Sequence, residues 1–558
     1  MEDRIIPTCR LLAGTALSAV TLIAATPAAA RVETGSPVAS YVEARMAALQ
    51  GANDQASARY AAALAAAPTD QSIATQAMRH GITAGNWRLA LDGARALERQ
   101  NALPIDGRFL LAAEAFRAHD WRAARTQIDA IQQDQSIGFT VPVLRAWLAF
   151  GARDGDPLAA LSAAGATGPA AGYAAEHRAL LLVALGRPEA QAEMQAAARS
   201  AGPRGVRLRI GAASVFAARR ERDAALAMLD VDTPASRAAR ALITANRPVP
   251  GAMGTAEAGV GELMIRLALD LGGQEMSQLG TLFARLATRL DPGSAEAWLV
   301  TAELLARQGQ HAEAVRVLDN IPASDPFILA TRDARIRLLS EGDQRDQALA
   351  LARQAAEANG ATQGDWLRLG QLYGEMGRQR EAADAFGRAL ALTGGEDAQD
   401  EWQVQLMRGS ALDQANDWPG ARTALRRAYE LAPQQPYVLN YLGYALLVRN
   451  EDVAEAERLI REAHRLAPDN AAITDSLGWA LYHKGQLAEA IPLLEQAAQS
   501  EAADVEINEH LGDAYYAAGR HIEARFAWRA ASVYADGEAA TRINAKLDRG
   551  LTPELAAR

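Results

Sequence analysis

The sequence predicts an all-α protein, a right-handed α-solenoid of stacked helix pairs, on three observations. Small residues recur about every 34 positions along most of the 558-residue chain. A period of that length is one helix-turn-helix unit, which buries its apolar face only by stacking on the next. Hydrophobic residues make up 49% of the chain and aromatics only 5%, a balance that suits helices in close approach. Pro433 and Pro468 fall where second helices should close, because proline lacks the N–H and clashes with the preceding turn.

Charge and hydropathy exclude several classes. Lys plus Arg is 57 against 67 Asp plus Glu, a net charge of -10 that gives no chain-wide attraction to nucleic acid or anionic lipid. A mean hydropathy of -0.11 excludes a polytopic membrane protein. The only lysines are Lys484 and Lys546, a skew given no mechanistic weight.

Residues 1–30 read as a signal peptide: Arg4 and Arg10, an apolar run from Leu11 to Ala25, then Ala28-Ala29-Ala30 before Arg31. The run is shorter than the roughly 20 residues of a comfortable bilayer span, so no integral span is expected in the mature chain. Cys9 is the only cysteine and precedes the run. Lipid anchoring and thiol chemistry are therefore not expected, and the expected location is a bacterial periplasm.

In residues 31–250 the period is carried by Ala44, Met78, Ala112, Ala146 and Leu180, each 34 apart. Ala56, Ala90 and Ala124 follow the first three anchors, with Tyr60, Ala94 and Ile128 behind them, which predicts five degenerate repeats. Residues 251–295 form an irregular helical junction. Pro248-Val249-Pro250-Gly251 and Gly259-Val260-Gly261 interrupt the pattern there, long helices follow from Glu262 to Leu290, and the stretch is the best hinge candidate. No strand pattern precedes Gly259 and the third glycine is missing, so a phosphate loop is not expected.

Residues 296–548 hold the strongest repeats, before a tail at 549–558. Seven units are anchored at Ala302, Ile336, Gly370, Gly409, Gly443, Gly478 and Gly512. Trp366, Leu369, Gly370, Tyr373, Ala382, Phe386 and Ala389 spell nearly the full consensus of one unit. The longer step from Gly370 to Gly409 contains the loop signal Gly394-Gly395-Glu396-Asp397. The period and these offsets are those of tetratricopeptide repeats.

No catalytic, cofactor-binding or metal-binding residue is expected. The eight histidines are scattered, and none pairs at the spacing that sets two ligands on one helix face. His510, beside the packing residues Leu511 and Gly512, reads as a satisfied structural histidine. The expected partner is a protein or peptide held in the concave groove lined by the first helices. Offsets from the Leu-Gly pairs place Asn440, Tyr444, Asp475, Trp479, Tyr482, Glu509, Asp513 and Tyr516 on that face. This aromatic and acidic lining has Tyr444 and Trp479 as central anchors, which could instead pack between repeats, and it suits a basic segment or one exposing backbone donors. Tyr515 is expected to pack between repeats.

Further phrases carry a narrower resemblance. Phe283-Ala284-Arg285-Leu286-Ala287, Asn320-Ile321-Pro322-Ala323-Ser324-Asp325-Pro326, Asp475-Ser476-Leu477-Gly478-Trp479-Ala480-Leu481-Tyr482 and Glu509-His510-Leu511-Gly512-Asp513-Ala514-Tyr515 resemble those of proteobacterial envelope tetratricopeptide proteins. Some of that family are lipoprotein adaptors of carboxyl-terminal processing proteases, so the resemblance implies a scaffold or adaptor. This chain departs from them in lacking a lipidation cysteine after its apolar run. A structural part of an envelope polysaccharide-export or secretion assembly, and an enzyme with a site assembled across repeats, are the alternatives.

Overall fold

The computed structural model describes residues 36–134, 136–164, 168–273, 277–392, 394 and 400–557. The expected signal peptide with Cys9, and residues 395–397 of the predicted loop, lie outside the described residues.

Thirty α-helices and no strand occur among the described residues. Most are shorter than the roughly 15 residues at which an isolated helix becomes stable in water, so packing holds them. Their starts are set locally. Asp70, Asn86, Asp120, Asn470 and Asp504 each accept a hydrogen bond from the backbone N–H three residues on, at 2.9–3.2 Å.

The chain divides into two compact units, one running to Ala348 and the other from Leu349. In the first, the predicted anchors Ala44, Met78, Ala112, Ala146 and Leu180 fall in the first helices of five successive pairs, Pro37–Leu49, Gln71–Thr83, Ile105–Arg117, Val141–Ala152 and Pro169–Leu185. A further pair, Gly205–Ala218 with Arg222–Ala227, continues the period at Ser214, 34 residues after Leu180, beyond the five predicted repeats.

The predicted junction is built differently from a hinge. Helices Ala256–Gly272 and Ser277–Leu290 form a hairpin that packs across the first helices of four N-terminal pairs, from Gln71–Thr83 to Pro169–Leu185. Gly259 makes this approach possible, since a Cβ there would stand 2.1 Å from Trp147 Cε2. The Phe109 and Phe283 rings meet edge to face at 5.1 Å, and Arg289 pairs with Glu114 at 2.7 Å. Upstream, Ser214 Oγ donates to Val249 O at 2.6 Å, and Arg207 donates to Gly251 O at 2.7 Å and to Glu262 at 2.9 Å. Proline removes donors from this stretch, but its carbonyls are bound by buried side chains. The residues read as a hinge are a fastening.

Six of the seven strong units appear as packed helix pairs, from Ala295–Arg307 with His311–Val317 to Val505–Ala517 with His521–Tyr534; in the Ile336 unit, Ile328–Glu341 is followed by Arg345–Ala356, inside which the two compact units divide. At five of the predicted anchors, Gly370, Gly409, Gly443, Gly478 and Gly512, an added Cβ would stand 2.3–2.8 Å from a side chain of the second helix: Phe386, Leu425, Ile460, Leu494 and Trp528 in turn. Glycine recurs because the helix crossing leaves no room for a side chain.

Candidate ligand groove

Three first helices, Pro436–Val448, Ala471–His483 and Val505–Ala517, stand side by side in the second unit, each backed by its own second helix. After the last pair the chain adds one more helix, Gly537–Arg549, packed on His521–Tyr534. It buries Ile543 and Lys546.

The structure places the eight predicted groove residues in two sets. Asn440, Tyr444, Tyr482 and Tyr516 are half-buried and reach the face. Asp475, Trp479, Glu509 and Asp513 are buried, with Trp479 and Asp513 at 0% exposure. The same offset from the Leu-Gly pair thus gives a half-buried Tyr444 but a buried Trp479 and Asp513, because the later helices cover those positions.

The buried set forms the floor. Trp479 lies stacked between Tyr482, with ring centroids 4.5 Å apart, and His510 at 3.9 Å. His510 Nδ1 pairs with Asp475 Oδ2 at 2.8 Å. Burial works against charge on the His510 ring, but Asp475, Glu506 and Asp513 outweigh it and raise its pKa above the ordinary value. The histidine is structural, as its setting suggested, yet its Nε2 has no hydrogen-bond partner among the described residues.

Glu509 and Asp513 are not an open acidic lining. Lys546 Nζ, itself fully buried, donates to Glu509 at 2.6 Å and to both oxygens of Asp513 at 2.7 Å. Arg542 holds Glu509 through two bonds of 2.7 Å, and Trp528 Nε1 donates to Asp513 at 2.9 Å. Burial would raise the Glu509 carboxyl, but Arg542 and Lys546 keep it below the usual range. Burial pushes Asp513 up, against the pull of Lys546. The expected attraction for a basic ligand is corrected by these internal partners: the cations come from a helix outside the repeat, where the repeat pattern carries no signal for them. Lys546, set aside as compositional skew, is the central cation of the site.

The aromatic rim behaves as expected in part. Tyr444 donates its hydroxyl to Glu506, and burial together with that carboxylate raises its pKa, so the phenol stays protonated. Tyr515 packs between repeats and donates to Glu495 at 2.6 Å. Trp479 Nε1, Asp475 Oδ1 and Asn440 Oδ1 are buried and have no hydrogen-bond partner among the described residues. A groove with rigid rings and unpaired polar atoms in its floor suits a ligand that brings main-chain donors and acceptors.

No helix among the described residues is long and apolar enough to cross a membrane. Among those residues no three His, Cys, Asp or Glu side chains group to hold a metal ion.

Residues 281–327, 367–436, 406–471, 445–504 and 476–540 match the family model described as Tetratricopeptide repeat. No curated protein matches the chain. Among solved structures it is similar to MamA (AMB-1), at 23% identity over 35% of this chain and 96% of that one, with a TM-score of 0.25. The APC/C hetero-tetramer Cut9-Hcn1 matches at 14% identity over 93% of this chain and 99% of that one, with a TM-score of 0.37. A thermophilic tetratricopeptide repeat protein of Thermus thermophilus matches at 21% identity, 33% and 99% coverage and a TM-score of 0.29.

Proposed function

From the premise that residues 281–327 and 367–540 are tetratricopeptide repeats, we propose that the protein is a non-catalytic scaffold whose last three repeats hold a protein or peptide segment in their groove. The observation that carries this reading is the floor just described: buried, unpaired Trp479 Nε1, Asp475 Oδ1 and Asn440 Oδ1 on the two first helices that also carry half-buried Tyr444 and Tyr482. Buried polar atoms without partners are costly in a folded protein, and a peptide main chain satisfies them. The first helices of the N-terminal repeats are covered by the chain's own 256–290 hairpin, which favours the C-terminal repeats as the ligand face.

The segment 1–30 supports a periplasmic setting, with the mature chain beginning near Arg31. In that setting the resemblance of the 475–482 and 509–515 phrases to envelope adaptors supports delivery of a substrate to a processing protease as the scaffold's task.

The test is capture of periplasmic proteins by immobilised chain, wild type against Asn440→Ala with Tyr482→Ala. Both residues are half-buried, and because Tyr482 stacks on Trp479 the melting temperature of the double variant is measured alongside capture. Loss of the captured partner at unchanged melting temperature supports the reading. Equal capture by the double variant sinks it.

A further inference from the structure

The groove is not empty along its length: residues 551–557 of the chain itself lie in it. The last helix stops at Arg549, and Gly550 adopts φ +83° and ψ 179°, a backbone conformation that side chains resist. A Cβ at Gly550 would stand 2.4 Å from the Tyr516 hydroxyl oxygen, so the tail departs pressed against one of the half-buried rim tyrosines. Leu551 then packs against the cluster of Ala524, Trp528, Ala531 and Ile543, on which Tyr516 also rests. A turn follows in which Leu555 N–H donates to Thr552 O at 2.9 Å.

Ala557 lies on the floor. Ala557 is 7% exposed and joins the apolar cluster that contains Leu439, Leu442, Leu477 and Trp479. Its backbone N–H donates to Asp513 Oδ2 at 2.9 Å. Seven residues thus pass from the third first helix, at Tyr516, to the cluster shared by the first and second.

We propose that residues 551–557 are a tethered occupant of the ligand groove, and that the groove takes in trans an extended segment of the same chemistry: a small apolar side chain buried where Ala557 sits, with its main-chain N–H on Asp513. This rests on the groove reading above and deepens it. Ala557 contributes one buried methyl group to an apolar cluster, a setting in which a charged side chain is costly. The acidity of Asp513 is answered by Lys546, so the carboxylate selects a hydrogen-bond donor rather than a cation.

The tail is built to be displaced. Its turn residues Pro553 and Glu554 are exposed, and its hydrogen bond to Asp513 is a single one. With the tail seated, Trp479 Nε1, Asp475 Oδ1 and Asn440 Oδ1 still lack partners among the described residues. A ligand that reaches those atoms makes bonds the tail does not. It needs them, because a short tether presents the tail at an effective concentration on the order of millimolar. The tail therefore sets a threshold that rejects segments matching only the alanine site.

Fluorescence polarisation with a labelled synthetic peptide of residues 549–558 tests this on the full-length chain. Ala557→Glu unseats the tethered tail, so it should bind the peptide at least tenfold more tightly than wild type. The same peptide with glutamate at the Ala557 position should bind neither protein. Equal affinity in the two proteins, or no binding to Ala557→Glu at an unchanged melting temperature, overturns the proposal. Hydrogen exchange on the wild-type chain supplies an independent reading should that variant fold poorly. The Ala557 amide should be protected and should lose protection only when the tail is displaced; unprotected exchange overturns the proposal. Light scattering showing that the tail is seated in a second copy overturns the tethered arrangement. Failure of the peptide while Asn440→Ala with Tyr482→Ala still abolishes partner capture leaves the groove reading intact and removes this inference alone.

Discussion

At the scale of single residues, Gly478, Trp479 and Lys546 each make a different kind of demand. Gly478 lies under the second helix of its pair, where an added Cβ would stand 2.7 Å from Leu494 Cγ and 3.3 Å from Ala490 O. Gly478→Leu should therefore cost about 1–3 kcal/mol through overpacking, read as a lower midpoint for the second unit in a urea melt. Trp479 is fully buried in its stack, so Trp479→Ala should cost about 3–5 kcal/mol. It is a fold residue, and its truncation does not separate binding from folding. Lys546→Met keeps most of the volume but leaves Asp513 without its cation. The loss should be about 3–5 kcal/mol, the cost of breaking a buried pair from one side, and a melt unchanged by that substitution would show the pair to be absent in solution. His510 adds a pH dependence. Its folded pKa is raised, so its contribution is complete below the ordinary value of about 6.5 and is lost as pH rises through the folded pKa. The His510 contribution to stability should accordingly fall as pH rises above about 6.5, against the opposite slope of His80, His177 and His483, whose pKa values burial lowers. Asp475→Asn, which removes the largest attractive cause, should change the pH dependence of the melting temperature by that contribution; an unchanged pH dependence contradicts the pairing.

At the scale of helices, the repeat was legible because one steric requirement recurs. Gly443, Gly478 and Gly512 all sit where two helices cross without room for a side chain, so the period is printed in the sequence even where flanking residues vary. Alanine serves the same purpose at Ala44, Ala112 and Ala146, each almost fully buried. The elements that were not legible share a different property: they pack on the repeats without belonging to them. The 256–290 hairpin looked like a loosely patterned junction because its partners, Trp147, Phe109 and Glu114, lie far upstream in sequence. The 537–549 helix likewise carries no repeat signature, yet it supplies Lys546 and Arg542 to Glu509 and Asp513. Spacing alone located the first helices; which of their polar residues stay open depends on what folds back over them. Asn440 and Tyr482 reach the face, whereas Asp475 and Glu509 do not. The hairpin makes its own prediction. Gly259→Val should drive a side chain into the Trp147 ring, and proteolysis of the first unit should become faster while the second unit is unaffected.

At the scale of the whole molecule, each unit uses first-helix surface for its own chain, but by different means. The first unit covers its N-terminal first helices with two full helices. The second lays residues 551–557 against its first-helix face, with one alanine buried in the apolar cluster there. Only the second arrangement leaves a surface that a ligand can claim at small cost to the fold. Because the buried carboxylates have internal cations or the His510 ring, the groove has little free charge. Partner capture should persist as salt rises above about 0.15 M, where surface charge pairs are screened beyond about 8 Å; a steep loss with salt would restore an acidic lining. The measurement that reaches the central claim most directly places a photo-crosslinking residue on the full-length chain at Tyr482, on the groove face, and separately at Arg458, exposed on a second helix. The account predicts a discrete adduct from Tyr482, none from Arg458, and competition of the first by the 549–558 peptide. Adducts from Arg458 with none from Tyr482 would contradict it and move the ligand to the outer surface of the repeats.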